Sequence, residues 1–185
     1  MAEIIKLQTP LTDADITKLK AGDIVSLSGI IYTGRDAAHK RLVECLERNE
    51  PMPIDIKGQA MYYVGPAPAK PGKPIGSCGP TTSYRMDPYT PTMLQQGMKA
   101  MIGKGPRSAE VIEAMKKHKG VYLAAIGGAA AVIAKSVKSC EVITYEDLGA
   151  EAIHKLEVQD FICFVAIDCE CNNLYETGRA EYEIK

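Results

Sequence analysis

Along this chain apolar residues recur with two different periods, and each predicts its own kind of element. Residues 3–9 (EIIKLQT) carry a short strand-like run that breaks at Pro10. Thr12 followed by Asp15 has the form of a capping box, so a short helix is expected over residues 13–20. The run DIVSLSGIIYT predicts a strand over residues 23–33. In RDAAHKRLVECLERN the spacing of Ala38, Leu42, Cys45 and Leu46 places them on one face of a helix from Asp36 to Arg48.

Residues 51–80 lose both periods and hold most of the eleven prolines of the chain. A strand at Gln59–Val64 fits there, and the rest reads as an irregular segment, long enough to carry function. Helices follow over residues 91–102 and 108–118. Residues 120–149 read as strand, Gly127-Gly128 turn, helix and strand, a single βαβ unit. Two or three further strands precede a polar tail of the last ten residues. The sum is an α/β class with a mixed sheet flanked by helices, in one domain over residues 1–185.

Composition narrows the function more than the fold. With 22 basic and 23 acidic residues the formal charge is −1, so no polyanionic partner such as nucleic acid is implied. The N-terminus lacks a basic segment followed by an apolar core, and the longest uncharged run, Gly120–Ala134, has 15 residues against the ~20 that span a bilayer. A cytoplasmic location is the expectation. Six scattered cysteines without a CxxC predict neither a disulfide framework nor a metal or cluster site within this chain; Cys169-Glu170-Cys171 lacks a second ligand pair.

Four stretches could carry chemistry. In TGRDAAH a strand delivers Arg35 to a helix start, where free N–H groups and a guanidinium favour an anion, with His39 one turn on. The blander account has Arg35 capping a surface helix, Asp36 balancing it and His39 packing. In GPTTSYRMD, Thr81, Thr82 and Ser83 offer hydroxyls and Arg85 a fork for a carboxylate; otherwise the hydroxyls bond their own turn. IGKGPRS puts Lys104 between glycines, at what reads as a helix C-terminus, without the spacing of a nucleotide phosphate loop. Gly127-Gly128 lacks the dinucleotide fingerprint and reads as close packing. Arg35, Arg85 and Lys104 together suggest a pocket for a small di-anion. Spacing alone supports no reaction.

These motifs, with KGQAMYYVGPAPAKPGKPIGSCGPTTSYRMDPYTP and VYLAAIGGAAAVIAKSVKSCEVITYEDLGAEAIHKLEV, resemble in order the β subunit of class I fumarate hydratases and of L(+)-tartrate dehydratase, over about residues 3–177. The resemblance implies a swivelling β/β/α domain and reversible hydration of fumarate to (S)-malate. It implies a [4Fe–4S] cluster whose cysteine ligands lie in a separate α partner, in a hetero-oligomer. Arg35, Arg85 and Lys104 would then grip substrate carboxylates, Thr81 would be the proton-abstracting residue, and His39 and Thr82 would support them. A threonine hydroxyl is a poor base unless a carboxylate, cation or relay activates it. Gly34 and Tyr84 stand at positions where the family varies, and nothing functional is carried over to the Cys169–Asn172 turn. Hydratases of tartrate or methylfumarate share the same expectation; a non-catalytic dicarboxylate-binding or assembly module is the alternative of a different class.

Overall fold

A computed structural model describes residues 3–126, 128–180 and 182–183. In chain order the elements are β1 (Ile4–Gln8), α1 (Asp13–Thr17), β2 (Ile24–Thr33), α2 (Asp36–Glu47), β3 (Ala60–Tyr62), α3 (Thr90–Gln95), β4 (Ala100–Gly103), α4 (Ala109–His118), β5 (Val121–Ala124), α5 (Ala130–Ile133), β6 (Val137–Thr144), β7 (Ile153–Ile167) and α6 (Leu174–Ala180). Strands β1 to β5 lie side by side and parallel, while β7 runs antiparallel to both β5 and β2 and carries β6 on its edge. Because β7 pairs at once with β5 and with β2, the ladder through β2, β3, β4, β5 and β7 closes on itself. The sheet is thus mixed and seven-stranded, with α2, α3 and α4 packed on one face, while Ile16 of α1 and Ile133 of α5 join the cluster on the other.

Two apolar clusters occupy the two faces. Leu27, Ile31, Tyr62, Ile102, Leu123 and Val165 belong to one. Met61, Met101 and Tyr122 point the other way, against Leu42 of α2, Met93 of α3 and Met115 of α4. Strands β3, β4 and β5 are therefore buried on both sides, as parallel strands under helices are. Such strands read as plain apolar runs.

That ambiguity accounts for the main departure from expectation. The helix expected over residues 91–102 stops at Gln95, Gly97 adopts φ +99°, and Ala100–Gly103 is a strand. Lys104 accordingly follows a strand and not a helix C-terminus. Nor is residues 120–149 a βαβ unit: β7 separates β5 from β6, and the four-residue α5 is too short for a crossover helix. In place of the two or three closing strands expected there is one, β7, with a bulge at Asp160, φ +53°. Part of the expected polar tail is α6. Gly127 lies outside the described residues; a Cβ on Gly128 would meet nothing within 4 Å, and its φ of +82° is what calls for glycine. The capping box at Thr12 and Asp15 forms, although α1 ends at Thr17. Among the described residues no helix is long and apolar enough to cross a membrane.

Candidate functional site

Three neighbouring parallel strands end at one rim of the sheet, and the singled-out residues stand just past those ends. In open and closed α/β sheets alike, ligands bind beyond the carboxyl ends of the parallel strands. Strand β2 runs into Gly34 and Arg35, which opens α2. Past β3, the Tyr63 carbonyl accepts the Thr81 N–H at 2.8 Å, drawing the GPTTSYRMD segment across the rim. Past β4, Lys104 forms a parallel bridge with Thr82, and its carbonyl accepts the Ser83 N–H at 2.9 Å. Ser83–Met86 then makes a short 3-10 turn that carries Arg85.

The two arginines meet over one carboxylate. Arg85 Nη2 donates to Asp36 Oδ2 at 2.9 Å, and Arg35 Nε lies 3.9 Å from Asp36 Oδ1. Arg35 Nη1 is also 3.1 Å from Glu151 Oε1, on the turn Glu146–Glu151. Arg35 sits at the N-cap position of α2, where a guanidinium, having donors only, cannot cap the helix N–H groups. Lys104 is exposed and has no ion pair among the described residues. Structure thus brings Arg35, Arg85, Thr81, Thr82 and Lys104 to one edge.

The three hydroxyls divide. Ser83 is buried: its Oγ accepts the Lys104 N–H at 3.1 Å and pairs with the Tyr122 hydroxyl at 2.8 Å. A Cβ on Gly103 would lie 2.0 Å from Ser83 Oγ, so the first glycine of GKG makes room for that hydroxyl. Thr81 and Thr82 are half-buried, and neither hydroxyl is bonded to the protein among the described residues. The local turn bonding that would make this cluster structural is confined to Ser83, and even that reaches across to β4.

His39 is wholly buried beneath the rim. Its backbone N–H and its Nδ1 both meet the Arg35 carbonyl, at 2.9 and 2.8 Å. A carbonyl only accepts, so Nδ1 carries the proton, and the buried Nε2 has no partner among the described residues. Burial lowers its pKa from 6.5 to about 4, and the ring stands edge-on to Tyr63 at 5.3 Å. His39 is thus a packed, neutral ring that meets the rim at the Arg35 backbone carbonyl, as the blander account has it.

Sequence reading missed the anchor below the site. Arg107, with its side chain 0% exposed, donates to Asp87 Oδ1 at 2.7 Å and to Thr90 Oγ1 at 2.8 Å, between the rings of Tyr63 and Tyr122. Asp87 also accepts the Ser108 N–H at the start of α4. The last residue of GPTTSYRMD is thus a brace for the segment. The pairing of Asp36 with Arg35 follows from their adjacency in sequence, whereas its link to Arg85 and the approach of Glu151 do not.

Chemically, the rim gathers two guanidiniums that each already face a protein carboxylate, with an ammonium and two hydroxyls that are free among the described residues. Among the described residues no three His, Cys, Asp or Glu gather closely enough to hold a metal. The cysteines are dispersed, and burial raises the Cys78, Cys140, Cys163 and Cys169 thiols above their ordinary pKa, which opposes thiolate ligation.

Comparison with known proteins adds a family. A profile of the family described as Fumarase C-terminus matches residues 1–178. The aerobic class I fumarate hydratase of Escherichia coli K12 is 42% identical over 176 residues, covering 93% of this chain and 32% of the relative. Fumarate hydratase 1, mitochondrial, of Leishmania major is 38% identical over 179 residues, 95% of this chain and 33% of the relative. A Methanocaldococcus jannaschii protein named for the beta subunit of L(+)-tartrate dehydratase is 40% identical over 172 residues, 90% of this chain and 88% of that one. The chain therefore spans about a third of the length of the fumarate hydratases it matches, and most of the named subunit.

Proposed function

The chain belongs to the Fumarase C-terminus family, and on that premise we propose that it is the dicarboxylate-gripping part of a hydro-lyase that adds water to fumarate to give (S)-malate. The observation that carries this is the convergence of Arg35 and Arg85 on Asp36 beside Thr81, Thr82 and Lys104, at the carboxyl ends of three adjacent strands. A fumarate dianion needs cationic partners for its two carboxylates, and that rim supplies them. We take the chain to work as a β subunit, a swivelling β/β/α unit that closes over substrate held by an α partner. This chain's cysteines do not fit a [4Fe–4S] cluster, so we assign the cluster to the partner, where it would supply a Lewis acid for the substrate oxygen.

Within this chain Arg35, Arg85 and Lys104 bind and orient the carboxylates. Thr81 lies with its hydroxyl free at the same rim and is the group we assign to proton handling at the carbon beta to the departing hydroxyl. No carboxylate or imidazole bonds Thr81 among the described residues, so activation would come from substrate, from Lys104 or from the partner. L(+)-tartrate dehydration is the second reading, favoured by the 88% coverage of the subunit-length relative.

Co-expression with a cluster-bearing companion chain, purified without oxygen, tests the proposal. The pair is expected to interconvert fumarate and malate, and this chain alone is expected to be inactive. Turnover of tartrate but not fumarate selects the second reading. Activity of this chain alone overturns the division of labour, and a pair inert toward every dicarboxylate overturns the hydro-lyase assignment.

A further inference from the structure

Among the described residues Asp36 is the carboxylate that touches both arginines of the rim, through Arg85 Nη2 at 2.9 Å and Arg35 Nε at 3.9 Å. Their situations differ. Arg35 has a further partner: Glu151 Oε1 lies 3.1 Å from its Nη1. Arg85 has a 41% exposed side chain and no ion-pair partner besides Asp36 among the described residues. What fixes Arg85 relative to Arg35 is therefore Asp36. The side of the link facing inward is sealed, since Arg35 Nε and Asp36 Oδ1 are both buried and have no hydrogen-bond partner among the described residues. Two like charges would otherwise push the guanidiniums apart, and Asp36 offsets that repulsion while setting their separation.

We propose that Asp36 is a positioning residue that sets the spacing of the two guanidiniums and thereby selects dicarboxylates by the distance between their carboxylates, a four-carbon backbone over a five-carbon one. This rests on the hydro-lyase reading above, because it takes Arg35 and Arg85 as the carboxylate grips. A fork held in one place accepts a carboxylate at one distance; an added methylene puts the second carboxylate out of register. An arginine free to swing on its own chain would follow either length. Asp36 also stands in the first turn of α2, where any carboxylate stabilises the helix. That contribution alters stability and leaves selectivity alone.

The test uses the complete active protein, with its companion chain, and reads competitive inhibition by succinate and by glutarate. Wild type is expected to prefer succinate by about tenfold or more, the order that one methylene commands in a fitted site. Asp36→Asn keeps the size of the side chain and removes its charge, and should collapse that preference to within about threefold, with a modest fall in Tm from the lost helix-start charge and with assembly retained. Asp36→Glu retains charge and helix start, and its extra methylene displaces the carboxylate; it should lose the preference too, and serves if the asparagine variant does not fold. Preference kept within twofold of wild type in a folded variant overturns the inference and leaves the hydro-lyase reading standing. Failure of wild type to bind either inhibitor overturns that reading and the inference with it.

Discussion

Thr81 and Ser83 stand two residues apart in the same segment, and the fold treats them in opposite ways. Ser83 is spent on Tyr122 and the Lys104 N–H; Thr81 anchors itself by its backbone and leaves its hydroxyl free. If Thr81 moves the proton, Thr81→Ala in the complete enzyme should lower kcat by about 10²–10⁴ with a smaller change in KM, and Thr81→Ser should keep much more activity. Steady-state kinetics of both variants decide this, and an unimpaired alanine variant returns Thr81 to a positioning role. His39 supports a prediction of another kind. Its folded pKa is about 4 against 6.5 in the unfolded chain, so the unfolded state binds the proton first as pH falls. Stability contributed by keeping His39 neutral is present above pH 6.5 and is lost as pH falls toward 4, by roughly 3 kcal/mol in all. His154, also lowered by burial, adds to the same fall. Urea unfolding across pH 7 to 4 should show the loss, and His39→Gln should flatten the slope without abolishing it.

At the scale of elements, the GPTTSYRMD segment has no regular structure beyond one 3-10 turn, yet it is held at both ends. Thr81 ties to β3, Ser83 to β4, and Asp87 to both Arg107 and the start of α4. The Asp87–Arg107 pair is buried, at 11% and 0% side-chain exposure, and removing one partner strands the other charge. Asp87→Ala should therefore cost about 3–5 kcal/mol, measured by denaturant unfolding of this chain. A cost below about 1 kcal/mol would mean the brace contributes little. The same scale shows where periodicity stops informing. Residues 91–102 hold apolar positions compatible with one long helix, but Gly97 at φ +99° ends it and Ala100–Gly103 enters the sheet. A four-residue strand buried on both faces has no alternation to display.

At the scale of the whole molecule, the site belongs to the closure of the sheet. Arg35, Thr81 and Lys104 come from three stretches of chain and are neighbours because β2, β3 and β4 lie side by side in parallel and end together. Glu151 reaches Arg35 because β7, which it precedes, pairs along β2. The rim that results is cationic at Lys104 and nearly balanced at the arginines, where two carboxylates stand against two guanidiniums. A formal charge of −1 for the chain reveals none of this, since it sums over positions that only the fold brings together.

By itself the sequence determined the strong local elements and singled out the candidate grips. Thr12 with Asp15 specifies its own capping box, the helical period of residues 36–48 specifies α2, and the uninterrupted motifs around Arg35, Thr81, Arg85 and Lys104 mark those residues. These are signals within a few residues, where backbone geometry and side-chain chemistry act directly. The tertiary structure alone decided which apolar runs became strands, that β6 pairs beyond β7 and not beside β5, and that Ser83, Asp87 and Arg107 form a brace beneath the rim. It alone decided that Asp36 joins Arg35 to Arg85, two residues 50 positions apart that no local pattern connects. Those outcomes depend on burial and on long-range pairing, whose free energies exist only once the chain has closed on itself.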